Sequence, residues 1–223
     1  MNRSPILIFD FDGTIADTHH YIIDISNRLS QEFNYRKIPP EEIELLKGHT
    51  VQEVIQHLNV PWLKIPAIIT RAKEEFHAGI RDIKPIEGLA DVLRSIKDAG
   101  VTVGILSSNT IENIHHFLKN HDLDFFDFIE STSKIWGKDI SLKKMITRLQ
   151  LTKEKIIYIG DEIRDVEAAQ KIKVKIAAVT WGYNSGAALQ KRNPDFLIHS
   201  PLELFQLCPD HVSLLSRQAE ERD

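Results

Sequence analysis

The chain has 223 residues, with 28 Lys and Arg against 32 Asp and Glu, a net charge of -4 and a single cysteine. That near-balance, without any long basic run, gives no footing to a nucleic acid or a membrane surface as partner; small-molecule chemistry is the better expectation, and the length suffices for a substantial core. Cys208 has no second cysteine to pair with, no stretch approaches the roughly 20 apolar residues of a membrane span, and the chain enters a strand directly, so the expectation is a soluble cytoplasmic protein, monomer or homodimer.

The first element is an apolar run of strand length, Ile6 to Phe9, which delivers Asp10 and Asp12 into a turn at Gly13. Helical spacing follows, with Ile22, Ile25, Leu29 and Phe33 at steps of three and four until Pro39-Pro40 interrupts it. A second helix is expected from Glu41 through Ile43 and Leu46 to Gly48. A third opens at Thr50, where Thr50 and Glu53 form a capping-box pair ahead of Val54 and Leu58. Pro61 and Pro66 punctuate the chain before a fourth, through Ile68, Ile69, Ala72 and Phe76, which closes near Gly79. Residues 16–83 therefore read as an all-helical insertion, a cap, and residues 1–15 with 84–223 as the domain that receives it.

From Pro85 the pattern changes. Leu89, Val92, Leu93 and Ile96 mark a helix that Gly100 is placed to end in the left-handed conformation. Val101 to Leu106 then has the composition of a strand buried on both faces, with Ser107, Ser108 and Asn109 at its end before a helix through Ile111, Ile114 and Phe117. A strand near Phe126 to Ile129, a helix through Leu142, Met145, Ile146 and Leu149, and a strand from Lys155 to Ile159 follow. The last of these runs into Gly160-Asp161-Glu162-Ile163-Arg164-Asp165 and a helix carrying Val166 and Ala169. Short strands at Lys175–Val179 and Phe196–Ile198 and a helix over Pro201–Leu207 complete the series, and the charged tail 213–223 reads as frayed. Alternating strands and helices predict an α/β fold, a Rossmann-like three-layer core around a mostly parallel sheet.

At the carboxyl end of a parallel strand Asp10 and Asp12 both have access to the crevice where such sheets bind ligands. Two carboxylates this close repel, and a cation between them resolves the repulsion. Calcium loops of the EF-hand type also open with D-x-D-G, but they want a Glu at the twelfth position, where Tyr21 stands, and a preceding helix, where this segment is strand-like.

Taken together, Asp10 to Thr18 (DFDGTIADT), the strand-end Ser107, the Lys138 that precedes a helix, and Gly160 to Asp165 (GDEIRD) resemble the haloacid dehalogenase-like phosphohydrolases over nearly the whole chain. The position of the helical insertion is similar to that of the phosphoglycolate phosphatase-like subgroup, which residues 181–186 and 193–198 also echo. The resemblance implies a Mg²⁺-dependent phosphatase that hydrolyses a small phosphate monoester, phosphoglycolate among them, through an aspartyl-phosphate. It implies Asp10 as nucleophile, and Asp12 as the acid that protonates the leaving oxygen and then deprotonates water. Ser107 and Lys138 would hold the phosphate, with Ser108 and Asn109 competing for the first role and Lys134 for the second. Thr14 would steady the loop and turn its backbone N–H to phosphate. Asp161 would bind Mg²⁺ with Asp10 and the Asp12 carbonyl, and Asp165, otherwise a helix-dipole residue, would stand beside the metal. Glu162 reads as a capping or surface residue. Ile172-Lys173 departs from the small-Gly pair usual after this motif, at a helix end.

Substrate choice would then fall to the insertion, where Lys47 and His49, on the turn between its second and third helices, are the candidate contacts, with His19, His20 and Arg71 as alternatives. Pivots are expected near Ala16 and Lys84. Rival functions are a phosphotransferase or phosphomutase and, further off, a phosphoacceptor signalling module. A receiver of that last kind carries its phosphorylated Asp on a later strand and lacks a helical insertion of this size.

Overall fold

A computed structural model describes residues 4–132 and 137–208, so Lys134 and the tail 213–223 lie outside the described residues. After β1 (Ile6–Phe9) the chain makes four helices, α1 (His19–Phe33), α2 (Ile43–Leu46), α3 (Val51–His57) and α4 (Ile65–Gly79). It returns through α5 (Leu89–Asp98) to β2 (Thr102–Ser107), α6 (Ile111–Asn120) and β3 (Phe128–Ser131). Then come α7 (Lys138–Arg148), β4 (Ile156–Gly160), α8 (Ile163–Lys171), β5 (Lys175–Val179), α9 (Gly186–Gln190) and β6 (Phe196–Ile198).

Among the described residues these strands form one parallel sheet in the order β3-β2-β1-β4-β5-β6. β1 takes a central place, Phe9 pairing with Ile105 on one side and Ile159 on the other, and a run apolar on both faces is what that place requires. Alternate residues face opposite layers. Leu7, Phe9, Val103 and Ile105 pack with Leu93 and Ile96 of α5 and Ile114 and Phe117 of α6. Ile8, Leu106, Ile156 and Tyr158 pack with Leu142 and Met145 of α7 and Val166 and Ala169 of α8. The connections depart from β1 in both directions, and beyond the carboxyl ends of strands at such a switch point lies the crevice of an open α/β sheet. The three-layer parallel core expected from the alternation is the one observed.

The helical insertion leaves and rejoins this core side by side. Asp17 N donates to Lys84 O at 2.9 Å and Ile86 N to Ile15 O at 2.9 Å, and Ala16 and Pro85 form an antiparallel bridge. Helices α1 and α4 meet through Ile25, Leu29 and Phe76, with Arg28 reaching Glu75 at 2.8 Å. A smaller cluster of Ile38, Leu46 and Leu58, with Ile23, Ile43 and Val54 around it, joins α1 to α2 and α3. Thr50 opens α3 with both bonds of a capping box, and Gly100 follows α5 at φ +78°.

Some boundaries differ from the sequence expectation. The second helix is split: Pro40–Glu42 is a 3₁₀ turn and only Ile43–Leu46 is α-helical, a short element with proline at its entrance. Pro201–Leu207 is likewise 3₁₀. Strands β2 and β4 run on through Ser107 and Gly160, because pairing with Ser131 and Ala178 continues past the apolar residues. No helix among the described residues is long and apolar enough to cross a membrane.

Phe117 is wholly buried and meets the Phe11 ring edge to face at 5.0 Å, tying α6 to the residue between the two acids. Phe117→Ala should destabilise the protein by about 3–5 kcal/mol, seen as a lower urea midpoint at unchanged slope. A loss below about 1 kcal/mol would contradict this packing.

Candidate active site

The last hydrogen bond of β1 fixes the backbone of the first acid, since Asp10 N donates to Ile159 O at 2.7 Å. The chain then turns, with Ile15 N donating to Phe11 O at 2.9 Å and Gly13 N to Ala16 O at 2.9 Å. Gly13 has φ +76°, and a Cβ there would come within 2.4 Å of Asp161 Oδ2 and 2.5 Å of the Tyr183 ring, so both backbone sign and space require glycine. Phe11 and Ile15 are wholly buried in the core. That anchoring leaves Asp10 and Asp12 at the crevice.

Lys138 is the first residue of α7, and its Nζ lies 2.5 Å from Asp10 Oδ2 and 2.5 Å from Asp165 Oδ1, all three side chains being buried. Asp10, Glu162 and Asp165 bring carboxylate oxygens within 4.8 Å of one another. Glu162 does stand at the N-cap of α8, but it is buried and not at the surface. Its N–H donates to Asp165 Oδ2 at 3.0 Å, and its carboxylate accepts from Arg164 Nε at 2.8 Å. Asp161 accepts the Thr14 hydroxyl at 2.7 Å and the Tyr183 N–H at 2.7 Å. Thr14 is thereby turned inward, because its N–H, expected to face phosphate, donates to Phe11 O at 3.3 Å within the turn.

Two of the three polar residues at the end of β2 reach Asp12. Asn109 Nδ2 donates to Asp12 Oδ1 at 3.1 Å, and the Ser107 hydroxyl stands 3.5 Å from Asp12 Oδ2 while accepting the Asn109 N–H at 2.9 Å. Ser108 shares a cavity with Asp12.

Burial raises Asp10, against the pull of Lys138 and with a push from Asp165. Burial, and then the neighbouring Asp10, push Asp12 up to about 7. Asp161 is held well above the usual carboxylate range by burial, Glu162, Asp165 and Asp10. Burial would discharge Lys138, but Asp10 and Asp165 overcome it and keep the ammonium. Asp10, Asp12, Glu162 and Asp165 lie near two cations, Lys138 and Arg164, and Asp161 is crowded by Glu162, Asp165 and Asp10. This crowding of carboxyl groups, oxygen alone without His or Cys in the group, fits a hard divalent cation.

The loop after β5 ties this site to the insertion. Asn184 Oδ1 accepts the Ile163 N–H at 2.8 Å, and its Nδ2 donates to Lys47 O and His49 O, each at 2.9 Å. Ser185 N donates to Lys47 O at 2.9 Å. The Tyr183 hydroxyl lies 2.8 Å from Thr18 Oγ1, and Trp181 Nε1 donates to Thr14 O at 3.1 Å. Lys47 and His49 line a cavity together with Asp12, His19 and Arg164, whereas His20 and Arg71 do not; Arg71 pairs with Glu32, Glu74 and Glu75. Sequence reasoning had no role for Arg164, Tyr183 or Asn184. The signal for the last two was the segment 181–186, noted there only as a family echo.

A profile of the family described as haloacid dehalogenase-like hydrolase matches residues 7–179. The chain is 30% identical to a phosphoglycolate phosphatase of Synechococcus elongatus, over 95% of this chain and 99% of that one. It is 26% identical to the pyrophosphatase PpaX of Listeria welshimeri, over 92% of this chain and 96% of that one. The solved structure of a haloacid dehalogenase-like family hydrolase from Streptococcus pneumoniae matches with a TM-score of 0.77 at 22% identity, covering 92% of this chain and 99% of that one.

Asn184→Ala would leave the buried Ile163 N–H without its acceptor, a loss of about 1–3 kcal/mol. The expected result is a lower melting temperature, with faster amide exchange across residues 47–50. Unchanged exchange in that turn would show that other contacts hold it.

Proposed function

The chain belongs to the haloacid dehalogenase-like hydrolase family and is one of its phosphatases, and from that premise we propose that it hydrolyses a small phosphate monoester by passing the phosphoryl group to Asp10. The observation that carries this reading is the Lys138 ammonium 2.5 Å from Asp10, beside an Asp12 pushed up to about 7. An anionic nucleophile approaching an anionic ester is opposed by charge, and Lys138 offsets part of that repulsion. An Asp10 oxygen bonds to phosphorus as the ester P–O bond breaks, and the leaving oxygen takes its proton from Asp12. Asp12, now a carboxylate, accepts a proton from water as that water attacks the aspartyl-phosphate, releasing phosphate and restoring Asp10. A carboxyl group that titrates near neutrality suits both half-reactions.

Ser107, Ser108 and Asn109, already grouped at Asp12, would turn their donors to the phosphoryl oxygens, as Lys138 would. Mg²⁺ would be held by Asp10, Asp161 and Asp165 with the Asp12 carbonyl, and when bound would neutralise charge developing on the phosphoryl group. Residues 16–83 would act as a cap that opens and closes on the two adjacent crossings near Ala16 and Lys84. Phosphoglycolate, from the name of the Synechococcus relative, is the first natural ester to assay.

With p-nitrophenyl phosphate and Mg²⁺, catalytic turnover should be abolished by EDTA and by Asp10→Asn, which keeps the shape and removes the nucleophilic charge. Asp12→Asn should lose more than about 10²-fold in kcat, and Asp161→Ala and Asp165→Ala should raise the Mg²⁺ concentration needed for half-maximal rate. Near-native turnover by Asp10→Asn in saturating Mg²⁺ would remove Asp10 from the reaction. One persistent stoichiometric phosphorylation would make the protein a phosphoacceptor instead.

A further inference from the structure

The structure points to an apolar leaving group: we propose that the alcohol half of the substrate is a hydrocarbon chain, lodged in a cavity of about 360 Å³ that joins Asp12 to the interior of the helical insertion. This inference rests on the phosphatase reading of Asp10 and Asp12 and narrows its substrate class.

The core contributes Asp12 and Ser108 to the cavity, where the ester would sit, and the insertion contributes Ile22, Ile23, Ile43, Val54, Ile55 and Leu58. Its size falls within the roughly 300–1,000 Å³ of small-molecule sites. On α1 the neighbouring Ile25 and Leu29 are each 1% exposed, whereas Ile22 and Ile23 stay half-buried, as do Ile43, Val54 and Ile55 across from them. These aliphatic side chains line the cavity beside a reactive carboxylate with part of their surface uncovered, surface of the kind a ligand covers.

A second anionic group on the substrate has no such welcome. Lys47 already meets Glu44 at 2.9 Å, and Arg164 meets Glu162 at 2.8 Å. Burial, followed by the nearby charge of Lys47, lowers His19 to about 4, so its ring is neutral. A carboxylate carried into the aliphatic part of the cavity would lose its hydration without a partner there.

The test is kcat/KM of the full chain, with Mg²⁺, for ethyl, butyl and hexyl phosphate alongside phosphoglycolate. Each added methylene that enters the cavity should raise kcat/KM about fourfold, placing hexyl phosphate ahead of phosphoglycolate. Val54→Phe and Ile55→Phe, made separately so that one misfolded variant does not decide the matter, should flatten that rise by filling the space. A flat or falling series in an enzyme that turns over phosphoglycolate overturns the apolar leaving group and leaves the phosphatase reading intact. A rise that both folded variants preserve places the hydrocarbon elsewhere and also overturns it. No turnover of any ester, p-nitrophenyl phosphate included, overturns the phosphatase reading as well.

Discussion

The bridge from Lys138 to Asp10 and Asp165 is the interaction on which the rest of the molecule depends. One of its acids, Asp10, follows β1 and the other, Asp165, stands in the first turn of α8 after the adjacent strand β4, Phe9 pairing with Ile159, and its cation comes from the start of α7. A buried ion pair adds little net stability, while removing one partner strands a charge at a cost of about 3–5 kcal/mol. Such an arrangement is therefore weak as a structural device. Its sense lies in chemistry, because Asp12 and Asp161 crowd the same site and are both raised above the usual carboxylate range. Such crowding suits the cation and the anionic ester of the proposed reaction.

The acids also determine how the insertion sits. Asp161 is not isolated at the end of β4: through Thr14 it holds the turn after β1, and through the Tyr183 N–H it holds the loop after β5. That loop reaches the insertion at two places, Thr18 through Tyr183 and the turn at residues 47–49 through Asn184. Asn184 also takes the Ile163 N–H at the start of α8, one residue after Glu162. The acids at the strand ends are thus connected to the insertion by short, directional bonds through one loop with partners on both sides.

Much of the core was legible because strands buried on both faces read as unbroken apolar runs, as at Ile6–Phe9 and Ile156–Ile159, and because Asp10, Asp12 and Gly13 follow the first of them. Lys138 was legible from its glycine-before-helix setting among several other lysines. What escaped was whatever depends on a partner distant in sequence. Glu162 was read as a capping or surface residue, and only the fold brings Asp10 and Arg164 around it and makes it buried. Asn184 finds its acceptors 137 and 135 positions away, on carbonyls that carry no residue-type signal at all. Thr14 shows the same limit in reverse, since a motif position implied its place but not the direction its N–H would face.

The insertion adds a subtler failure of legibility. Helical spacing marks Ile22, Ile25 and Leu29 as one apolar series, and period alone reports a face without reporting what covers it. In the fold Ile25 and Leu29 are closed off against α4, while Ile22 opens on the cavity beside Asp12. In the proposed reaction the groups that act on phosphorus come from strand ends and helix starts of the core, and the surface proposed to meet the rest of the substrate comes from α1, α2 and α3. Asn184 and Tyr183 join the two sets. Under that proposal the insertion reads the organic group while Lys138 and the acids of the core carry the reaction, so that specificity and chemistry reside on different elements.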